Sequence, residues 1–308
     1  GYTFDQTTGT QVDGRDLWSG RVTIGFKPFA GMEADLIWEH FQENDDRLRS
    51  GKQLCRRDPG PSSVGPLTTA IGSFNVGDFV TNLDDGGRAA LSQGCLPVSL
   101  YSPESRETPN GQALPIVYAT EFGSGFSALI PDVDPYLSTS QPQSLRVIQS
   151  QLTPQYRANN DTVELNVSVV ITPELTLTSD SGYNHDFLAS IEDFSRFAAR
   201  PGIFYTNTLG DAWFGGQFSP GGVFCDPQLG CSTSFVGEDL SQEHAFQINQ
   251  EFRLASSFKG PFNFAIGGNY LHYETLEDFY VFANLITMES RFLDLTYPHT
   301  ANQACALE

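Results

Sequence analysis

The sequence predicts an all-β protein, namely an antiparallel arc of a large transmembrane β-barrel with long extracellular loops. Apolar and polar residues alternate with period two in six segments, which is typical of a sheet with one oily face and one polar face. The segments form three pairs, each joined by a tight turn, and much longer loops connect one pair to the next. Short turns at one end and long loops at the other are typical of outer-membrane barrels.

The six predicted strands follow from this alternation, and they cover residues 17–27, 32–45, 161–172, 174–184, 243–257 and 261–276. The segments between the pairs, and the segment after the last one, are predicted to be extracellular loops over residues 46–160, 185–242 and 277–308. Loops of this length are usually functional or disordered. We expect short strands inside the first loop near Leu114–Tyr118.

Alternate side chains of these strands should meet two environments. A charge that faces lipid at mid-bilayer costs about 2–4 kcal/mol, so polar side chains should line the lumen. The predicted lumen-lining residues are Arg21, Glu33, Glu39, Glu164, Asn166, Asn249, Glu251 and Arg253. The predicted lipid-facing residues are Val22, Ile24, Phe26, Leu165, Val167, Val169, Phe252, Leu254 and Phe264. Aromatic residues expected towards strand ends, where membrane girdles occur, are Trp18, Phe29, Trp38, Phe258 and Tyr270.

Composition excludes some classes of protein. The formal net charge of -20 argues against nucleic acid as a partner, because phosphate binding needs clustered Lys and Arg. No stretch reaches the roughly 18 consecutive apolar residues of a membrane helix. The 29 glycines and 18 prolines suit many strands joined by irregular loops.

All five cysteines lie in predicted loops. The short spacing of Cys225 and Cys231 predicts a small loop closed by a disulfide, which fits an oxidising compartment. Cys55 and Cys95 form the expected second pair. Cys305 is left without a nearby partner, so it is either free or bonded to a cysteine beyond residue 308.

Six amphipathic strands cannot stand alone in a bilayer. Single-chain barrels have at least about 8 strands, and each unpaired backbone group at an open edge in lipid costs several kcal/mol. We therefore expect the strands to belong to a larger barrel. Both ends of the chain read as loop, so we also expect residues missing on both sides.

Catalytic motifs are absent from the sequence. The five histidines are scattered, and neither an H-E-x-x-H nor a G-x-S-x-G pattern occurs. Asp132–Asp134 and Asp84–Gly87 offer carboxylates for calcium, but neither matches an EF-hand loop. We predict no catalytic residue, no metal site and no cofactor, and hence a protein that is not an enzyme.

One segment resembles a known family. The run Ser241–Ser256, with its Gln-Glu-Phe-Arg-Leu-Ala-Ser core, is similar to a barrel strand of TonB-dependent outer-membrane receptors. Shorter similarities lie at Leu91–Pro97, Pro154–Ala158 and Ile171–Thr178. The chain looks closest to the large receptors of sphingomonad- and Caulobacter-like bacteria.

The resemblance implies a barrel of about 22 strands in the outer membrane of a Gram-negative bacterium. It also implies an N-terminal plug domain, which is not visible in this sequence, and energy supplied by a TonB complex through a missing N-terminal segment. The implied substrate is a scarce nutrient such as a siderophore-iron chelate or another large solute, held by the extracellular loops.

Two other functions fit the same strands. The chain could be a secreted β-rich binding or adhesion protein, or an all-β hydrolase whose loop carboxylates perform acid/base work. A soluble sandwich would show the same alternation, with its apolar face packed on a second sheet. Sandwiches have loops of comparable length at both ends, so the loop asymmetry favours the barrel.

Overall fold

A computed structural model describes residues 1–64, 81–82, 88–89, 91–112, 134–204 and 218–296. Three sequence predictions fall outside these residues: the short strands near Leu114–Tyr118, the calcium candidates Asp84–Gly87 and Asp132–Val133, and the partner of Cys305. No helix among the described residues is long and apolar enough to cross a membrane.

Strands are the main regular structure of the described chain. In chain order the strands are β1 (Thr3–Asp5), β2 (Thr10–Val12), β3 (Leu17–Phe26), β4 (Met32–Asp45), β5 (Arg56–Arg57), β6 (Ser63–Val64), β7 (Thr81–Asn82), β8 (Cys95–Leu96), β9 (Val147–Ile148), β10 (Gln155–Thr172), β11 (Leu175–Asp193), β12 (Phe224–Asp226), β13 (Gly230–Ser232), β14 (Gly237–Ser256) and β15 (Ala265–Ala283). The α-helix α1 covers Asn284–Thr296, and 3-10 helices cover Pro103–Ser105 and Pro220–Gly222.

The six long strands form one antiparallel sheet in the order β15-β14-β11-β10-β4-β3. The two strands of each hairpin pair with each other, and β4 pairs with β10 and β11 with β14, so the three predicted hairpins lie side by side. The all-β, antiparallel prediction is therefore confirmed. The sheet is open, because no described strand pairs with the outer edges of β3 and β15.

Several strands are longer than alternation predicts at the loop end, where the long loops join the sheet. Strand β10 begins at Gln155, not at residue 161, and β11 continues to Asp193, not to residue 184. Likewise β14 begins at Gly237 and β15 ends at Ala283. Backbone ladders continue through polar stretches such as Glu192 opposite Asp239, where the period-two signal has faded. The loops are correspondingly shorter, at residues 46–154 (the first loop) and 194–236 (the second loop).

The last hairpin differs from its prediction at the turn end. Strand β15 begins at Ala265, not at residue 261. Before Ala265, backbone N–H groups of the turn donate hydrogen bonds to side chains, which replace the ladder of a strand. The Ser256 hydroxyl accepts from the backbone N–H of Phe264 at 2.7 Å, and the Asn263 side chain accepts from that of Phe258. Phe264, predicted to face lipid within a strand, therefore lies in the turn between β14 and β15.

The register divides the strand side chains between two faces. Facing pairs such as Arg21 and Glu39, or Asn249 and Gly182, lie on the same side of the sheet. All eight lumen-lining candidates share one face, called here the polar face. The other eight lipid-facing candidates, without Phe264, share the opposite face, called here the apolar face.

The apolar face is bare. Val22 is 48% exposed, Phe252 is 53% exposed and Ile266 is 65% exposed. A soluble sandwich would bury these side chains under a second sheet, and the described residues do not form such a layer. Exposed apolar patches of this extent mark surfaces that contact lipid or another protein.

Only some of the aromatic residues expected near strand ends lie there. Trp18 is the second residue of β3, and Phe29 and Phe258 lie in the turns. Trp38 and Tyr270 instead lie within β4 and β15, with several strand residues on each side. The prediction was wrong for Trp38 and Tyr270, because β4 and β15 continue well beyond these residues towards the loops.

Both predicted disulfide pairings are confirmed. Cys55 and Cys95 are joined with an S–S distance of 2.09 Å and link the first loop across 40 residues. Cys225 and Cys231 are joined at 2.01 Å and close the β12–β13 hairpin. One hydrophobic cluster joins Phe204 and Phe224 of the second loop to Met288 of α1, and another includes Tyr136 and Phe197.

The disulfides lead to a direct prediction. An unreduced proteolytic digest should contain one peptide pair linked through Cys55 and Cys95, and a Cys225–Cys231 link within the second loop. Mass spectrometry before and after reduction measures both. Alkylation of any of these four thiols without prior reduction would contradict the prediction.

Candidate functional site

The first loop folds back over the polar face, where Arg49 anchors it. The Arg49 guanidinium contacts Asp239, donates to the Ser241 hydroxyl at 3.1 Å and lies 3.7 Å from Glu192. Glu192 also accepts from the backbone N–H of Arg49 at 3.2 Å. Glu192 and Asp239 are both buried, so the first loop shields two carboxylates of the polar face from water.

A second arginine makes a similar contact nearer to β4. Arg47 lies 3.2 Å from the buried Glu43 and stacks 4.4 Å from the ring centroid of Tyr156. Glu43 and Tyr156 both belong to the polar face by register. Both arginines therefore attach the first loop to the same side of the sheet as the predicted lumen residues.

Nearer the turns, the polar face is open and acidic. Arg21 pairs with Glu39 at 2.8 Å, and Glu33 pairs with Lys27 of the first turn. Across the register, Asp35, Asn166, Asp180 and Glu251 form one row over four strands. The candidate Arg253 lies on this face opposite Thr178.

The candidates Glu164 and Asn249 line one shallow depression of about 360 Å³ with Gly182 between them. A Cβ at Gly182 would lie 2.3 Å from Asn249 Oδ1, so the Asn249 amide would have to move to admit a larger residue. The structure therefore brings two of the predicted lumen residues together at a single concave position.

A larger cavity, of about 600 Å³, lies where both loops meet the end of β15 and the start of α1. It is called here the apolar cavity, because aromatic and aliphatic side chains dominate its wall. That wall includes Tyr136, Phe194, Phe197, Phe235, Val281 and Ile286. Cavities of this size and lining are the usual form of small-molecule sites.

Polar groups at the rim of the apolar cavity are held in place by Asp193. Its carboxylate accepts from the backbone N–H groups of Gln151 at 2.7 Å, Ser195 at 2.9 Å and Arg196 at 3.2 Å. These bonds hold Arg196 at a φ of 57°, in the left-handed region that non-glycine residues rarely adopt. Burial raises the pKa of Asp193 above its ordinary value. Arg196 thereby lines the cavity with its Nε atom buried and without a hydrogen-bond partner.

Tyr136 contributes a neutral aromatic wall to the apolar cavity. Burial raises the pKa of its phenol, and the nearby Asp193 carboxylate raises the pKa further. The phenol therefore stays protonated at physiological pH. Cys95, which also lines the cavity, is bonded to Cys55, so the first disulfide fixes part of the same wall.

Sequence reasoning found the polar face but missed the apolar cavity. None of the eight lumen-lining candidates contributes to its wall, whereas Cys95 does. The available signal was the run Phe194-Ser195-Arg196-Phe197, where aromatic residues flank an arginine directly after a strand. The remaining wall residues are far apart in sequence, so no local pattern connects them.

Among residues 1–64, 91–112, 134–204 and 218–296, no three His, Cys, Asp or Glu side chains lie close enough together to hold a metal ion. No protein-family model, curated protein or solved structure matches this chain.

Proposed function

We propose that this chain is an arc of a TonB-dependent outer-membrane receptor that takes up a scarce nutrient, such as a siderophore-iron chelate or another large solute. Its loops bind the solute, the polar face lines the path through the barrel, and the apolar face meets lipid. The observation that carries the proposal is the bare apolar face, whose height and charge pattern match a bilayer.

The apolar face has a band free of charged side chains. The band extends from the turns to the row formed by Trp38, Val163, Tyr183, Ile248 and His272. In β10 it covers Val163–Thr172, about ten residues, and a tilted membrane strand needs about 9–11. The first charged side chain above the band in β10 is Asp161, which pairs with His40 at 2.8 Å. Trp38 at the upper edge of the band suits a membrane interface.

Polar side chains inside the band bond one another. Ser181 Oγ donates to Gln250 Oε1 at 2.7 Å, and Gln250 Nε2 donates to Ser179 Oγ at 2.9 Å. In hydrocarbon an unpaired amide or hydroxyl costs several kcal/mol, so this mutual satisfaction suits a face that meets lipid.

The open edges favour a larger barrel over an isolated sheet. Strands β3 and β15 each leave one row of backbone N–H and C=O groups unpaired among the described residues. In lipid these rows need further strands, which closes the sheet into a barrel. The barrel of about 22 strands and the coupling to a TonB complex come from the family resemblance.

The loops supply the binding element of the proposal. Arg47 and Arg49 hold the first loop over the polar face, and the apolar cavity opens between the two loops. A solute held there lies over the same face that carries Glu164 and Asn249. Binding and passage would then use one side of the sheet.

Adjacent residues of β10 allow a sharp test of sidedness. A bimane probe on a Leu165→Cys variant should be quenched by brominated lipid acyl chains, because Leu165 lies in the middle of the apolar band. The same probe on an Asn166→Cys variant, one residue away on the polar face, should be quenched by a water-soluble quencher instead.

Equal lipid quenching at both positions would reject the membrane-facing assignment. Recovery of the unmodified protein in the aqueous fraction, without detergent, would also reject it and favour the secreted binding or adhesion protein.

A further inference from the structure

A second cavity in the first loop, of about 650 Å³, is lined by a buried arginine. Arg106 is only 8% exposed, and its Nη1 atom is buried without a hydrogen-bond partner. A buried guanidinium that lacks a partner is costly, because both its charge and its donors have lost water. The Arg106 guanidinium lines the cavity and forms no ion pair among the described residues, so an anionic group in the cavity would provide its counter-ion.

Lys52 adds positive charge close to the Arg106 cavity. Lys52 Nζ donates to the backbone carbonyls of Pro142, which lines the cavity, and Ser144 at 2.5 Å and 2.6 Å. It has no carboxylate partner among the described residues. Burial, with a smaller contribution from the nearby Arg106, lowers the pKa of Lys52 to about 8.

Two carboxylates close to Arg57, which also lines the cavity, form bonds with other groups. Glu107 accepts from the backbone N–H of Arg57 at 2.6 Å. Asp134 contacts the Arg57 guanidinium and accepts from the backbone N–H of Gly111 at 3.0 Å. Glu107 also lines the cavity, but neither Glu107 nor any other carboxylate of the described residues forms an ion pair with Arg106 or Lys52.

We propose that the cavity beside Arg106 binds a small oxyanion or the carboxylate of a larger solute. The guanidinium of Arg106 offers donors in the planar arrangement that carboxylate and phosphate prefer. The cavity wall also includes the hydroxyl-bearing residues Ser138 and Ser140. Tyr136 lines both this cavity and the apolar cavity, so the two sites are neighbours. The proposal does not depend on the transport function.

The acetylation rate of Lys52 can reveal whether an anion is bound at this site. An anion beside Arg106 would favour the protonated amine, raise the pKa of Lys52 and slow its reaction with an acetylating ester. At pH 8 a rise of about one unit reduces the reactive amine roughly fivefold. The full-length protein would be acetylated in sodium phosphate, in sodium succinate and in sodium chloride at equal ionic strength, with peptide mass spectrometry as the readout.

The chain offers its own references, because its only other lysines are Lys27 and Lys259, in the turns. We expect phosphate, succinate or both to slow acetylation of Lys52 saturably and to leave Lys27 and Lys259 unchanged. Protection by phosphate identifies an oxyanion site, and protection by succinate identifies a carboxylate site.

An Arg106→Gln variant should lose this protection, and an Arg146→Gln variant, which alters a loop arginine outside the cavity, should retain it. Equal Lys52 acetylation in all three salts would overturn the proposal, as would full protection in Arg106→Gln. If Arg106→Gln does not fold, as judged by its Cys55–Cys95 link, Arg106→Lys replaces it, and the saturation curve of the unmodified protein still decides the matter.

Discussion

Replacing Arg49 with methionine is expected to destabilise the packing of the first loop on the polar face by about 3–5 kcal/mol. Breaking a buried ion pair leaves a buried charge without compensation. The change removes the only cation in contact with the buried Asp239 among the described residues, and one of two beside the buried Glu192. The first loop should detach from the polar face. Limited proteolysis of the first loop and chemical unfolding of the protein would measure the effect.

The matched control is Arg21→Met on the same face. Arg21 pairs with Glu39 at 2.8 Å, but the two side chains are 60% and 45% exposed. An exposed pair contributes only about 0–1 kcal/mol, so the strands and loops should remain intact in this variant. Equal effects of the two substitutions would show that burial of the Arg49 partners has no influence on stability.

Replacing Val167 with lysine should prevent stable insertion into the outer membrane. Val167 lies in the apolar band between Ala34 and Ser179, and a lysine there costs about 2–4 kcal/mol at the bilayer midplane. The heat-modifiable, folded protein in the outer-membrane fraction should fall accordingly, and urea unfolding from lipid vesicles should shift to lower urea.

The neighbouring Ser168→Lys variant serves as the control. Ser168 lies on the polar face opposite Glu33, where a lysine gains a favourable charge partner. We expect its insertion to match that of the unmodified protein. If Ser168→Lys were the damaging change and Val167→Lys the tolerated one, the assignment of the two faces would be reversed.

The strands could be predicted because their information is local. Residues such as Val163, Leu165 and Val167 alternate with Glu164 and Asn166, and the side-chain period of a strand then determines which residues share a face. The same pattern failed beyond Asn184 in β11, where the apolar Phe187 and Leu188 lie on opposite faces. It also failed before Glu243 in β14, where polar residues occupy both faces, and in both places only the backbone ladder continues.

The cavities formed by the loops could not be predicted from local sequence patterns, whereas one disulfide could. Cys225 and Cys231 are close in sequence, so their pairing was accessible. The apolar cavity joins Tyr136, Phe197 and Val281, and the Arg106 cavity depends on carboxylates bonded to Arg57. These relationships arise from long-range packing, and no spacing in the sequence encodes them.

The unequal lengths of the two edge strands have a consequence for any wall built on them. Strand β3 has 10 residues and β15 has 19, which correspond to about 34 Å and about 65 Å at the rise of an antiparallel strand. A neighbour of β15 must be nearly twice as tall as a neighbour of β3 to use every backbone group. The completed wall would then have a stepped rim, low beside β3 and high beside β15.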